Sequence, residues 1–372
     1  MPSKVERVAS LDLVRGTAAF TVAISHYFVL NSTDWPAAQA VSELAVEVFF
    51  VLSGFVLAPQ ILFCSRDGRI VNLWVFLTRR WMRTIPPFLV ALVAISLLTD
   101  QLMTGDFFRY VFYVQNVFAQ HNVQDYFAVA WSLSIEEWFY VTFPALMFVC
   151  ARVFRHSELS FFIFVAVVFI CIITALRMIF GVTQNWDELV RRIVVFRIDS
   201  IGYGFLLYVM MKRFGESWTE KPKTSTQFLT FGIFVACALL GFYVTGRAIT
   251  AGYVVSQHIF PFIAAAFGMS TILAFYMLDS ICETRRISRF CVYFGRISYS
   301  VYLFHIILIL LMRPALQQLP IAVQIGIYTG GCVIFSTLFF YYFEKPILAA
   351  RPKFKLAPRK TLRTSAQYSS IA

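Results

Sequence analysis

Residues 160–181 read SFFIFVAVVFICIITALRMIFG, and Arg177 is the only charged residue among them. About 20 such residues, rising about 1.5 Å each, cross a hydrocarbon core of about 30 Å. Working outward, the same pattern recurs at 10–30, 42–63, 83–103 and 129–151 before this run, and at 190–211, 228–247, 254–278, 291–313 and 321–344 after it. Of the 372 residues, 59% are apolar, 17% aromatic and 14% charged, with 41 Phe. A soluble domain carries about 25% charged residues, so a water-facing surface is excluded. The mean hydropathy of +0.72 agrees. The chain reads as an all-α, polytopic membrane protein of about ten transmembrane helices, with no room for a soluble domain between short connections.

The net charge of +12 would fit a nucleic-acid binder, but the cations sit in short clusters between apolar runs, as membrane topology demands. With the N-terminus inside, the inner segments hold Lys4 and Arg7, then Arg66, Arg69, Arg79, Arg80 and Arg83, then Arg152 and Arg155. They also hold Lys212, Arg213, Lys221 and Lys223, then Arg285, Arg286 and Arg289, and the basic end of the chain. The outer segments hold Arg109, Arg191, Arg192, Arg247 and Arg313. Both termini are therefore expected in the cytoplasm, with residues 1–346 forming one membrane domain and 347–372 a basic, partly disordered tail. The first run follows Lys4 and Arg7 like a signal sequence but contains Arg15 and His26, so it reads as an uncleaved span. The seven cysteines form no CxxC pair, and neither a disulfide framework nor a metal site is indicated.

Ionisable side chains inside a span are costly and so are functional candidates. His26 and Arg15 are eleven residues apart, about 20° past three full turns, and share one face of the first helix. His26 falls about 9 Å outward of the span centre and Arg15 about 8 Å inward. Glu47 and Glu136 fall at about the depth of His26, and His305, Arg177, Arg197 and Asp199 lie near that level or closer to the middle. Arg15, Arg79, Arg80, Arg83 and Arg296 form an inner cationic group. Each has a plain reading beside the functional one. Arg177 and Asp199 can tie helices together, His305 can be an interhelical hydrogen-bond donor, Arg79, Arg80 and Arg83 can be topology anchors, and Ser53 can be a packing residue. The aromatic connection 104–128, with Phe107, Phe108, Tyr110, Phe112, Tyr113, Phe118, Tyr126 and Phe127, is either an interfacial belt or re-entrant piece, or a platform for stacking a sugar ring.

Several of these residues lie in stretches that resemble the membrane acyltransferase-3 family. The first span reads LDLVRG (11–16), and ten residues separate Arg15 from His26, similar to the family's Arg-x10-His signature. The second reads EVFFVLSGF (47–55), with Glu where many members have Asp. RRWMRTIPPF (79–88), WSLSIEEWFY (131–140), ISYSVYLFH (297–305) and EKP (344–346) complete six segments in family order. The resemblance implies O-acylation, usually O-acetylation, of an extracytoplasmic acceptor by cytoplasmic acyl-CoA, in the cell inner membrane. Typical acceptors are surface polysaccharides, lipopolysaccharide or lipo-oligosaccharide, and some members act on macrolides. Many members carry an SGNH-hydrolase-like domain outside the membrane; this sequence is expected to be a stand-alone member, with any partner protein unidentified.

Residue types and resemblance together suggest roles. Arg15, Arg79, Arg80 and Arg83 are expected to bind the CoA phosphates, since guanidinium forks match phosphate oxygens. His26 is the expected general base, with Glu47 or Glu136 holding its other ring nitrogen. Ser53, Trp131, Tyr302 and His305 are expected near the substrates, with acyl-CoA as a co-substrate rather than a bound cofactor. The rival reading is a proton-coupled transporter or flippase of a glycan or small molecule, and a scaffold subunit is a third. Neither interrupted helix pairs nor repeated halves are visible to favour a transporter. An Asn or Gln at position 26 separates the readings, because only the acyltransferase would keep CoA affinity while losing turnover.

Overall fold

Apolar runs in lipid fold as helices because each backbone N–H must find its partner within its own segment. The computed structural model describes residues 8–31, 36–119, 125–181, 186–214, 224–251, 254–279, 282 and 284–355. Among these there is no strand, and ten helices are long and apolar enough to cross a membrane. In chain order the elements are α1 (Ala9–Asn31), α2 (Pro36–Asp67), α3 (Ile70–Leu98), a short α4 (Gly105–Val111), α5 (Ala130–Val153) and α6 (Leu159–Phe180). A broken span follows, made of a π-turn (Asp187–Arg191), α7 (Val194–Arg197) and α8 (Asp199–Phe214). Then come α9 (Thr224–Ala251), α10 (Val254–Met277), α11 (Arg285–Leu316) and α12 (Ile321–Phe339), the last running through a π-turn (Phe340–Glu344) into α13 (Lys345–Ala349). Phe164, Phe228, Leu239, Ile334 and Tyr342 are exposed on the outside of the bundle, a surface suited to hydrocarbon.

Two expectations are corrected. The third helix begins at Ile70, not near 83, so Arg79, Arg80 and Arg83 sit within it. The sixth span is interrupted, and the loop after α4 braces the break: Val194 N–H donates to the Asn116 carbonyl (2.9 Å) and Val195 N–H to that of Val117 (3.3 Å). After Pro346, residues 347–355 are described, and there the Lys355 N–H donates to the Asn72 side chain (2.9 Å). Lys4, Arg7, Lys221, Lys223 and the tail beyond 355 lie outside the described residues.

Of the aromatic connection, Phe107, Tyr110, Tyr113 and Phe127 are core residues, Tyr113 stacking on Phe88 of α3 with ring centres 4.5 Å apart. Phe108, Phe112 and Phe118 are exposed.

Helix α2 runs through the middle, touching α1, α5, α8, α9 and α10. It crosses α8 backbone to backbone: a Cβ on Gly54 would lie 1.9 Å from the Ile201 carbonyl oxygen, and one on Gly204 1.8 Å from that of Val51. Small residues permit such approach, and dispersion between the backbones then holds the helices. Helices α1 and α11 meet the same way, since a Cβ on Gly295 would lie 2.7 Å from the Asp12 Cβ and 2.8 Å from its carbonyl oxygen. Farther along the two helices stand His26, in α1, and His305, in α11, bonded to one another. The glycine contact thus sets the helix separation that this bond requires. Gly295→Val is expected to part α1 from α11 and lower any activity that depends on the histidine pair at least tenfold, while Gly232→Val, with nothing within 4 Å, leaves it unchanged. Parallel activity assays on the two purified variants test this.

Candidate functional site

A cavity with about 680 Å³ of empty space, its open mouth included, runs between α1, α2, α3, α5 and α11. Arg15, Arg80 and Arg83 line it, and Ser132 and Tyr302 belong to the same wall. Glu136 also lines it, with Oε1 accepting from the Ser53 hydroxyl (3.1 Å) and Oε2 from the Tyr140 hydroxyl (2.8 Å). Helical spacing places Glu136 and Tyr140 one turn apart on a single face, so the acceptor and donor meet without distortion. Tyr302 and Ser132 bond hydroxyl to hydroxyl at 2.6 Å. Arg79 is not in the lining; its Nη1 donates to the Pro352 carbonyl (2.7 Å). Arg296 is exposed.

From Tyr302 the polar path leads to a histidine pair. The Tyr302 and His305 rings are 5.9 Å apart, and His26 Nδ1 lies 2.8 Å from His305 Nε2. His305 Nδ1 lies 2.7 Å from the Tyr302 carbonyl oxygen. A carbonyl only accepts, so Nδ1 of His305 carries the proton and, in the neutral ring, Nε2 offers a lone pair. His26 Nδ1 must then donate to it, which leaves the lone pair of His26 on Nε2. That atom faces the Ser42 hydroxyl at 3.1 Å. His305 is fully buried, whereas His26 is only partly so. Of the two residues, His26 is the one that keeps some exposure.

The expected carboxylate partner of His26 is therefore corrected. Glu136 is engaged by Ser53 and Tyr140, and Glu47 accepts from Arg197 Nη2 at 2.5 Å in a fully buried pair. Arg197 also donates to Ser200 (3.2 Å) and lies over the Phe260 ring (5.4 Å). Arg177 and Asp199 form a buried two-bond pair (3.0 and 3.1 Å) between α6 and α8, the helix-tying reading.

Beyond the histidines, Trp131 has the Arg191 guanidinium over its ring at 4.7 Å. Arg191 pairs with Asp187 and lies 3.4 Å from Glu43, and Arg192 bonds Asp187 at 2.7 Å. Asn116 Nδ2 donates to the Arg192 and Trp131 carbonyls (2.5 and 3.1 Å), fixing both strands of chain. Ser42, Asn116 and Arg191 were not legible as site residues. Ser42 is a small residue near a helix start, Asn116 sits in an unpatterned loop, and Arg191 falls where an outer topology charge is expected. No cluster of metal-ligating side chains occurs among the described residues.

The family model described as an acyltransferase domain matches residues 8–341. The chain belongs to the acyltransferase-3 family. Relatives named as putative enzymes include two of different origin. One is an O-acetyltransferase of Staphylococcus aureus (strain COL), 26% identical over 370 residues, covering 92% of this chain and 58% of the relative. The other is an acetyltransferase of Acidianus two-tailed virus, 21% identical over 338 residues, covering 90% of this chain and 89% of the relative. A peptidoglycan O-acetyltransferase of Listeria monocytogenes is 30% identical over 168 residues, 41% of this chain and 26% of the relative. This chain thus spans less than two thirds of the staphylococcal relatives it matches. No solved structure matches it.

Proposed function

We propose that this protein moves an acyl group, acetyl in the first instance, from cytoplasmic acyl-CoA to a hydroxyl of an extracytoplasmic carbohydrate across the cell inner membrane. The observation that carries this reading is one cavity lined by Arg15, Arg80, Arg83 and Tyr302, with the His26–His305 pair beside Tyr302. The arginines suit the CoA phosphates, and Arg15 lies about 17 Å along α1 from His26, within reach of an extended pantetheine arm. His26 Nε2 takes the proton of the acceptor hydroxyl as its oxygen attacks the thioester carbonyl. The carbon–sulfur bond then breaks, and the departing sulfur leaves as a thiol by taking that proton. The products are an ester and free CoA. The Ser42 hydroxyl marks where the acceptor hydroxyl would stand. The cell-wall acceptor named for the Listeria relative belongs to the same carbohydrate class.

The test is transfer from radiolabelled acetyl-CoA in inverted and in right-side-out membrane vesicles containing their own surface glycans. Label in ester linkage to a glycan is expected only where acetyl-CoA reaches the cytoplasmic face. Equal labelling from both faces overturns the sidedness, and uptake without ester formation favours the transporter reading. In the same assay Arg83→Gln is expected to raise the KM for acetyl-CoA about tenfold, with a smaller effect on kcat, as loss of one charge-assisted phosphate contact should.

A further inference from the structure

The matched family region ends at residue 341, yet the chain continues onto the cationic end of the cavity. A set of contacts seats residues 352–355 there. Arg79 Nη1 donates to the Pro352 carbonyl (2.7 Å), and its guanidinium lies over the Phe354 ring (5.5 Å). Phe354 packs edge-on against Phe63 (5.4 Å). Asn72 makes two bonds to the Lys355 backbone, to its carbonyl at 2.8 Å and from its N–H at 2.9 Å. This anchored segment carries Arg351 to the cavity-lining Arg80 and Arg83. Burial first, and then the charges of Arg83, Arg80 and Arg79, push the Arg351 guanidinium down to about 9.

Arginines gathered this way repel one another unless an anion lies between them. Glu344 is the nearby carboxylate, and it is engaged by the Ser300 hydroxyl. Arg351 Nε and Nη2 are buried and have no hydrogen-bond partner among the described residues, and the same holds for Nε of Arg79 and of Arg80. On Arg351 the two free atoms form one edge of the guanidinium, the edge that grips two oxygens of a phosphate side by side. A buried, unsatisfied donor is costly, so four of them on Arg79, Arg80 and Arg351 point to a place built for an anionic acceptor.

We infer that Arg351, held in place by residues 352–355, completes a phosphate-binding site with Arg79, Arg80 and Arg83 at the mouth of the cavity. Its ligand is a phosphoryl group, supplied by CoA if the acyl-CoA reading holds, or by a lipid headgroup.

The full chain in phosphatidylcholine nanodiscs, titrated with inorganic pyrophosphate and separately with CoA, tests the site. Both are expected to bind the parent protein and to bind Arg351→Gln about tenfold more weakly, with Arg351→Lys between them because it keeps the charge and loses the fork. Lys353→Gln removes the same charge two residues along, at an exposed position, and is expected to bind like the parent. Equal pyrophosphate affinity in the parent and Arg351→Gln overturns the inference, as does absence of pyrophosphate binding in the parent. Pyrophosphate binding that needs Arg351, without CoA binding, leaves the site standing and overturns the acyl-CoA reading. If phosphatidylglycerol in the disc blocks pyrophosphate in the parent, and less so in Arg351→Gln, the site stands with a lipid headgroup as its source.

Discussion

His26→Gln is expected to lower acyl transfer about 10³-fold, within the range that loss of a positioned general base produces. Glutamine keeps the volume and the power to hydrogen-bond His305 but cannot take a proton from an acceptor hydroxyl. The geometry fixes which atom matters. The Tyr302 carbonyl commits His305 Nδ1 to donate, His305 Nε2 then accepts from His26 Nδ1, and the basic lone pair of His26 is left on Nε2. His305 acts through His26 by holding the ring in this tautomer, as outer-shell partners of functional histidines do. His305→Gln is accordingly expected to cost about 10- to 100-fold. The measurement is initial ester formation at saturating acetyl-CoA, with CoA binding followed in parallel. CoA binds on the arginines about 17 Å away along α1, so its affinity is expected to stay within about twofold in His26→Gln. Undiminished transfer in His26→Gln would remove His26 from the chemistry. Loss of CoA affinity along with transfer would instead mean that the variant disturbs the cavity as a whole.

The ten spans were legible because a membrane helix writes its solvent into its composition: the run at 160–181 and the helix Leu159–Phe180 differ by a residue at each end. Departures occur where side chains face an interior that is not lipid. Arg79, Arg80 and Arg83 lower the hydropathy of residues 70–83, yet the helix continues through them. The interruption of the sixth span is held by Asn116 and Val117, about 75 positions earlier in the chain, so no local pattern announces it. Among the candidate residues, the partners that the side chains meet were not legible. Glu47 was expected at the depth of His26, yet α2 presents it to Arg197 instead. Ser42, five residues earlier and about 140° around that helix, is the residue that faces His26. The His26–His305 bond depends on the close contact of α1 with α11 at Gly295, a tertiary distance that spacing within one helix does not encode.

Arg197→Met is expected to destabilise the protein by about 3–5 kcal/mol, the cost of leaving a buried carboxylate without its partner. Arg197 and Glu47 join α7 to α2 with both side chains out of contact with solvent, and the Phe260 ring closes one side of the pair. Removing the cation leaves the buried Glu47 carboxylate without the donor it accepts from. Removing both charges is different. Arg197→Met with Glu47→Leu eliminates the unpaired group, and such apolar replacements of buried pairs are often neutral or stabilising, so most of the lost stability is expected to return. Thermal unfolding in detergent, with ligand absent, reads this cycle. The double variant also decides what Glu47 does. As the counter-ion of Arg197 alone, it is dispensable once Arg197 is gone, and the refolded double variant is expected to transfer acyl groups within about tenfold of the parent. A double variant with parental stability and no transfer would show that Glu47 takes part in the reaction. Recovery of neither stability nor transfer would mean that α2 and α7 need the ion pair to meet in the correct register.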